Sequence, residues 1–398
     1  MLKYCKIAPL HAMVHISNHH FKRLLDFIII FSKKFIIINK LMKDRKFFCI
    51  EPFVSLSIVK EDHIFPCCLH EGQKSTQKDD LWNDPYLKNI RETILNDEVP
   101  DECQACVEQE KFGRLSRRQH SNKVWLDEHG NFEDAIENDA PYKLDFWTGN
   151  LCNLACSTCT YTNSSTWFAL LKKASKAGNV DLRYKGNYVS NLDYNFEFKK
   201  EDIPDIDFKN MESIHFNGGE PLLTDSHFKI LNLIPKERRK DVYVIYNTNG
   251  TVRIDLEDEK WSIFKEFRSV DMTFSLDGIE EMFEFIRWPA KWEEVQSNID
   301  LWAEYCYSEY DNCFFQMSVN MVKTPHNFKV FDDAVKYVTD RWFTKLVALR
   351  KSNLNEYVFT TNDHSFMGWT DEQFEEYTKT EEFDLQTKNL LILRNQDK

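Results

Sequence analysis

Residues 142–159 read YKLDFWTGNLCNLACSTC. The first six predict a short strand, and the loop behind it carries Cys152, Cys156 and Cys159 at CxxxCxxC spacing. Three thiolates on one loop can hold three irons of a four-iron cluster. The fourth iron is then left without a protein ligand and can take a substrate or cofactor. A closed structural zinc site needs a fourth ligand, and no His or Cys follows at zinc-finger spacing. Zinc, or buried free cysteine, is the competing reading of the three thiols.

Working outward, short apolar stretches at 142–147, 212–217, 241–247, 269–276, 313–320 and 345–349 predict strands. Helical patterns fall between and after them, at 164–176, 224–234, 257–267, 280–286, 291–306 and 327–340. Strand–helix alternation predicts an α/β fold with a parallel sheet covered by helices. Six such units make a partial (β/α)6 barrel, and ligands in such folds sit at the C-terminal ends of the strands. The aromatic-rich stretch 177–210 is read as an insertion. Ser318 and Asn320 alternate with Met317 and Val319 on the fifth strand, and line either the cavity or the framework.

The ends of the next strands extend the pattern. The second runs into FNGGEPLL, with Gly218, Gly219 and Glu220; the third ends in YNTNG; the fourth runs into TFSLDG, with Ser275 and Asp277, and Arg287 follows. Glycines let a backbone approach a ligand closely, and a carboxylate pairs with an ammonium group. In this order the motifs resemble the radical S-adenosylmethionine (SAM) superfamily over about residues 142–350. The resemblance implies that Cys152, Cys156 and Cys159 hold a [4Fe-4S] cluster. It implies that Gly218, Gly219 and Glu220 meet the methionine amino group of SAM, and that Ser275 and Arg287 meet its ribose or carboxylate. Asp277 is expected either to orient substrate and accept a proton or to serve as a turn residue before Gly278. Thr158 stands where many members carry an aromatic residue.

A second cysteine group, Cys49, Cys67, Cys68, Cys103 and Cys106, precedes the strand series. Four of these five can complete a Cys₄ site for a cluster or for zinc. The residues 47–59 and 64–68 predict two strands, and 81–97 a helix with Asn83 or Asp84 as cap and Pro85 in its first turn. The group resembles a twitch domain, the shortened SPASM form that carries an auxiliary iron–sulfur cluster, here placed ahead of the barrel. The expected ligands are Cys49, Cys103, Cys106 and one of Cys67 and Cys68. Cys5, Cys306 and Cys313 lack ligand spacing and read as free thiols.

The expected domains are therefore a twitch-like α+β module at 42–113, a charged linker at 114–140, a radical SAM partial barrel at 141–352 and a polar, solvated segment at 353–398. Residues 1–41 read as an extension ahead of a start at Met42. The formal net charge of −13 argues against a nucleic-acid partner. The positive balance is confined to the N-terminus, where residues 1–48 hold ten Lys or Arg against two Asp or Glu. The apolar runs there fall short of the roughly 20 residues a membrane helix needs. The resemblance implies reductive cleavage of SAM to a 5′-deoxyadenosyl radical. That radical takes hydrogen from a peptide, protein or small metabolite, with the second cluster aiding electron transfer. A reductant such as flavodoxin or ferredoxin and a cytoplasmic setting follow from it. The competing class is a zinc- or cluster-binding interaction protein without catalysis.

Overall fold

The computed structural model describes residues 47–59, 63–67, 69, 73–75, 80–176, 203, 205–308, 313–345 and 370–394. They form two compact units. One takes the described residues up to Ile50 together with Thr93–Glu137; the other takes Glu51–Glu92 and the described residues from Asn138 onward.

The larger unit is built on one sheet of eight strands: β1 (Ser55–Ile58), β2 (His63–Phe65), β3 (Gln73–Lys74), β4 (Lys143–Trp147), β5 (Ser213–Asn217), β6 (Tyr243–Thr248), β7 (Ser269–Ser275) and β8 (Phe314–Asn320). Their order across the sheet is β3-β2-β1-β4-β5-β6-β7-β8. From β1 through β8 every pairing is parallel, and β2 and β3 add an antiparallel edge. Five of the six expected barrel strands are present. The sixth, 345–349, falls almost wholly outside the described residues, and Thr344 and Lys345 are helical.

A sixth parallel strand comes instead from the N-terminal side. β1 pairs with β4 over Ser55–Ile58, and the Tyr142 amide donates to the Val54 carbonyl at 2.9 Å ahead of the pairing. β1, β2 and β3, which fall in the stretch expected to build a separate module, therefore extend the main sheet. The predicted strand over 47–59 shortens for a local reason. Glu51–Val54 is a helical turn, closed by a buried hydrogen bond from Ser55 Oγ to Glu51 Oε2 at 2.6 Å.

Side chains alternate across a strand, and here the two faces differ in chemistry. Leu144, Phe146, Ile214, Phe216, Val244 and Tyr246 point to the covered face, where they join one continuous core. Helices Ser226–Leu233, Trp292–Tyr307 and Phe331–Val338, with the 3₁₀ segment Glu259–Glu266, supply the opposing apolar residues. Trp302, 1% exposed, anchors its helix to β8 by donating Nε1–H to the Gln316 carbonyl at 2.8 Å. On the other face, Asp145, His215, Asn217, Asn247, Asp271 and Ser318 are half-buried.

The smaller unit is helical, with helices Gln104–Lys111, Arg117–His129 and Glu133–Ile136. The stretch 114–140, expected as a linker, contains helix Arg117–His129, on which Arg117, Lys123, Asp127 and Glu128 are exposed. A capping box between Ser116 and Gln119 starts that helix, and Gly130 in the left-handed conformation stops it. Trp125, fully buried, donates to the Asn131 carbonyl at 2.7 Å and stacks on His129. Arg118 and Asn122 both donate to the Phe48 carbonyl, which ties residues 47–50 to this helix.

Phe216 is fully buried in the larger core and stacks on Tyr246 with ring centroids 4.9 Å apart. Phe216→Ala should cost about 3–5 kcal/mol. Urea unfolding is the measurement, and the midpoint should fall with an unchanged slope.

Candidate active site

The loop carrying Cys152, Cys156 and Cys159 leaves the C-terminal end of β4, as the parallel-sheet reading requires. Its first residues run along the end of β5. Thr148 N–H donates to the Asn217 carbonyl at 3.0 Å, Gly219 N–H to Gly149 at 2.9 Å, and Glu220 N–H to Leu151 at 2.8 Å. This ladder leaves no space for side chains at 218 and 219. A Cβ at Gly218 would stand 2.4 Å from the Gly149 oxygen, and one at Gly219 would stand 2.3 Å from the Leu151 oxygen. Gly218 also has φ +124°, which disfavours any side chain. The close backbone approach expected of this glycine pair is made to the cysteine loop itself.

The rest of the loop is held at nearly every residue. The Cys152 carbonyl accepts from Thr166 Oγ1 at 2.7 Å, the Leu154 carbonyl from Ser164 Oγ at 2.6 Å, and the Cys156 carbonyl from Trp167 Nε1 at 2.7 Å. Ala155 N–H and Ser157 N–H donate to the carbonyls of Trp288 and Ile286. Cys152 and Cys156 are buried and Cys159 is half-buried. Leu154 N–H lies 3.4 Å and Asn249 Nδ2 3.8 Å from Cys152 Sγ, so both donate to that sulfur.

Burial pushes the Cys152 thiol up to about 12, and its neighbours Cys156 and Glu220 add to the shift against the Leu154 amide. Burial pushes Cys156 up to about 11, opposed by the Arg287 and Arg394 guanidiniums. Among the described residues, no three His, Cys, Asp or Glu side chains converge on a single-ion site. A four-iron cluster spreads its ligands over separate irons, and three thiols on one pinned loop fit that donor set.

Glu220 is 1% exposed and turned inward. Its Oε1 accepts from Thr248 Oγ1 at 2.9 Å and from Leu222 N–H at 3.2 Å, and its Oε2 accepts from Asn249 N–H at 2.6 Å. Burial raises this carboxyl to about 7 against those hydrogen bonds. Glu220 thereby fixes Asn249, which reaches Cys152 Sγ and donates to Asn153 Oδ1 at 3.0 Å. Sequence reading missed Asn249; the YNTNG run at the end of β6 was its signal.

Asp277 is fully buried. Its Oδ2 accepts from Arg287 Nη2 at 2.6 Å and its Oδ1 from Val322 N–H at 2.8 Å. Asp277, expected either to orient substrate and accept a proton or to serve as a turn residue, has both oxygens engaged within the protein. The Arg287 guanidinium is raised: burial opposes its charge, while Asp277 and then Cys156 favour it. Its Nε is buried without a hydrogen-bond partner among the described residues. Ser275 ends β7 opposite Asn320 on β8, and both are half-buried on the polar face. Ser318 donates to both Asp271 oxygens, at 3.3 and 3.1 Å.

The segment from 353 on, expected to be solvated, contains helix Glu381–Arg394, whose last turn enters this site. Leu390 and Leu393 are buried among Ala155, Tyr161, Trp167 and Leu171. Arg394, 5% exposed, donates to the carbonyls of Ala155 at 2.8 Å and of Phe285. Only two leucines and one arginine carry this contact, too few to stand out in an acidic helix.

Of the second cysteine group, Cys49, Cys103 and Cys106 belong to the smaller unit and Cys67 to the larger, while Cys68 lies outside the described residues. Cys103 precedes helix Gln104–Lys111, and burial, with Cys106 and Glu102 nearby, pushes its thiol up to about 11. A cavity of about 340 Å³ is lined by Leu56, Trp82, Pro141 and Asp205 among others. Pro141 precedes β4, so the cavity opens at the end of that strand away from the cysteine loop.

No family model and no curated protein matches the chain. Solved structures similar to it include native anSMEcpe with bound AdoMet, at 19% identity over 50% of this chain and 49% of that one, TM-score 0.31. Streptococcus suis SuiB bound to S-adenosylmethionine has 12% identity over 73% of this chain and 58% of its own, TM-score 0.30. SuiB bound to precursor peptide SuiA has 13% identity over 72% and 68%, TM-score 0.29. The chain spans about half the length of the first. At these TM-scores none of them assigns the chain to a family.

Two outcomes test this geometry. Glu220 titrates at about 7 in the fold against an ordinary 4.5. Its protonated form therefore favours the fold, a contribution full below about pH 4.5 and lost as pH rises through about 7. The melting temperature of wild type minus that of Glu220→Gln should fall from pH 5 to pH 8, by the equivalent of about 3 kcal/mol. Arg394→Ala should cost roughly 2–4 kcal/mol. It should also speed hydrogen exchange at the Leu154–Ser157 amides, read by mass spectrometry; unchanged exchange there would separate the helix from the loop.

Proposed function

We propose that the chain is a radical SAM enzyme. One observation supports this above the others: a three-thiol loop at the C-terminal end of β4, docked backbone to backbone on Gly218, Gly219 and Glu220. In this reading Cys152, Cys156 and Cys159 hold a four-iron cluster. When bound, such a cluster supplies the electron that cleaves SAM into methionine and a 5′-deoxyadenosyl radical.

The chain's own groups would bind and orient SAM. A carboxylate has about four acceptor positions, and Glu220 uses three within the protein. The fourth is available to the SAM ammonium. Arg287, held at one end by Asp277, offers the rest of its guanidinium to a carboxylate. Ser275 would meet the ribose. Asp277 acts in this scheme as a positioning residue. The polar face of the sheet receives the substrate, a peptide or small metabolite, and keeps competing hydrogen donors away from the radical.

An auxiliary cluster on Cys49, Cys103, Cys106 and either Cys67 or Cys68 belongs to the same proposal and rests on their spacing. When bound, it would accept the electron that the substrate radical gives up on its way to the oxidised product. A flavodoxin- or ferredoxin-type reductant and a reducing, cytoplasmic compartment complete the reading. Among the described residues no helix is long and apolar enough to cross a membrane.

Iron and acid-labile sulfide in the anaerobically reconstituted chain test the proposal. About eight irons support two four-iron clusters. About four irons with bound zinc leave the radical chemistry and remove the second cluster. No iron leaves a zinc-binding interaction protein. Cys152→Ala should abolish SAM cleavage, whereas Cys103→Ala should retain cleavage uncoupled from substrate oxidation. Equal loss in both variants would overturn that division of labour.

A further inference from the structure

Asn153, Asn249 and Thr251 close a ring of hydrogen bonds between the cysteine loop and the loop after β6. Thr251 N–H donates to Asn249 Oδ1 at 2.9 Å. Asn249 Nδ2 donates to Asn153 Oδ1 at 3.0 Å, and Asn153 Nδ2 donates to Thr251 Oγ1 at 2.9 Å. The Thr251 hydroxyl has a single hydrogen, which goes to Asn249 Oδ1 at 2.6 Å in preference to Asn153 Oδ1 at 3.4 Å.

The direction of this ring is fixed by the main chain. A backbone N–H can only donate, so the Asn249 atom that Thr251 N–H meets is the amide oxygen, and the other end of that amide is the nitrogen. The NH₂ group has two hydrogens. One serves Asn153, and Cys152 Sγ, 3.8 Å away, takes the other. The Asn249 backbone is held as firmly. Its N–H donates to Glu220 Oε2 at 2.6 Å. Gly250, at φ +75°, turns the chain next to it, and its carbonyl accepts from Asn298 Nδ2 at 2.9 Å. Asn249 is 6% and Cys152 8% exposed, so the contact to sulfur is made away from water. Two N–H groups thus reach one sulfur. The Leu154 amide is main chain, which nearly any residue would supply; the other comes from a side chain.

We propose that Asn249 is a positioning residue that sets the reduction potential of the cluster through Cys152. This deepens the function proposed above and rests on it for the cluster. An N–H on a ligating thiolate draws electron density off the sulfur. Reduction brings in one electron from the external reductant, makes or breaks no bond and takes up no proton. The added negative charge is stabilised by the N–H, so the potential rises with each such bond. Asn153 and Thr251 hold the amide in the one orientation that aims nitrogen, and not oxygen, at the sulfur. An ordinary hydrogen bond changes the reduction equilibrium by about threefold to tenfold.

The full-length chain is made with asparagine labelled with ¹⁵N at the side-chain amide alone, reconstituted with iron and sulfide, and reduced with dithionite. The relevant cluster is the one whose electron paramagnetic resonance changes when SAM is added. Pulsed resonance on that signal should show a weak ¹⁵N coupling in wild type and none in Asn249→Ala. In a redox titration, the variant should be only about 10–25% reduced at the potential where wild type is half reduced. A residue that merely tied the two loops together would leave both readings unmoved. Absence of the ¹⁵N coupling in wild type overturns the proposal, as does a variant potential equal to or above that of wild type. Because the coupling is read on wild type, a variant that fails to fold or to take up iron does not obscure the result. A chain that binds no iron overturns the radical reading and this inference together. A SAM-responsive cluster without the coupling overturns this inference alone.

Discussion

The site depends on two strands of backbone lying too close for side chains. The Gly219 and Glu220 amides donate to the Gly149 and Leu151 carbonyls, and a single methyl group at Gly218 or Gly219 would collide with a carbonyl oxygen. This contact sets where the cysteine loop begins. It also draws Glu220 beneath the loop, where the carboxylate gathers Thr248 and Asn249 from the end of β6. Three strand ends are thus joined through one buried acid. Donors on Leu154 and Asn249 then reach Cys152 Sγ, the kind of contact that tunes a sulfur-ligated cluster.

The electrostatics around the loop are built from the same economy of parts. Two guanidiniums, Arg287 and Arg394, act on Cys156 against the burial that disfavours its thiolate. Asp277, which also accepts from Val322 N–H, pairs with Arg287, and the carbonyls of Ala155, Phe285 and Ile286 hold Arg394. A buried charge is tolerable only when paired or well hydrogen-bonded, and both arginines meet that condition.

Much of this was legible in the amino-acid order. The five strands from 142 to 320 declare themselves by apolar alternation, and the cysteine and glycine motifs fall at their C-terminal ends. The polar face was legible too, in strands such as KLDFW and SIHFN, whose inward positions are polar where a doubly covered parallel strand would be apolar throughout. Other features were not. SLSI reads as well for a separate module as for an added strand of the main sheet, because pairing partners are not encoded locally. Residues 114–140 hide a helix because its exposed face is charged and only Ser121 and Trp125 are buried. The role of Arg394 is invisible because its partners are carbonyl oxygens, which carry no residue identity.

That last contact also orders events in time. Arg394 and the Ala155 carbonyl it clamps are 239 residues apart in the chain. Translation proceeds at about 5–20 residues per second, so roughly 10–50 s separate synthesis of the three thiols from synthesis of their clamp. Docking of helix Glu381–Arg394 on the Ala155 carbonyl therefore follows the contacts that the loop makes with β5 and β6, whose partners are synthesised sooner.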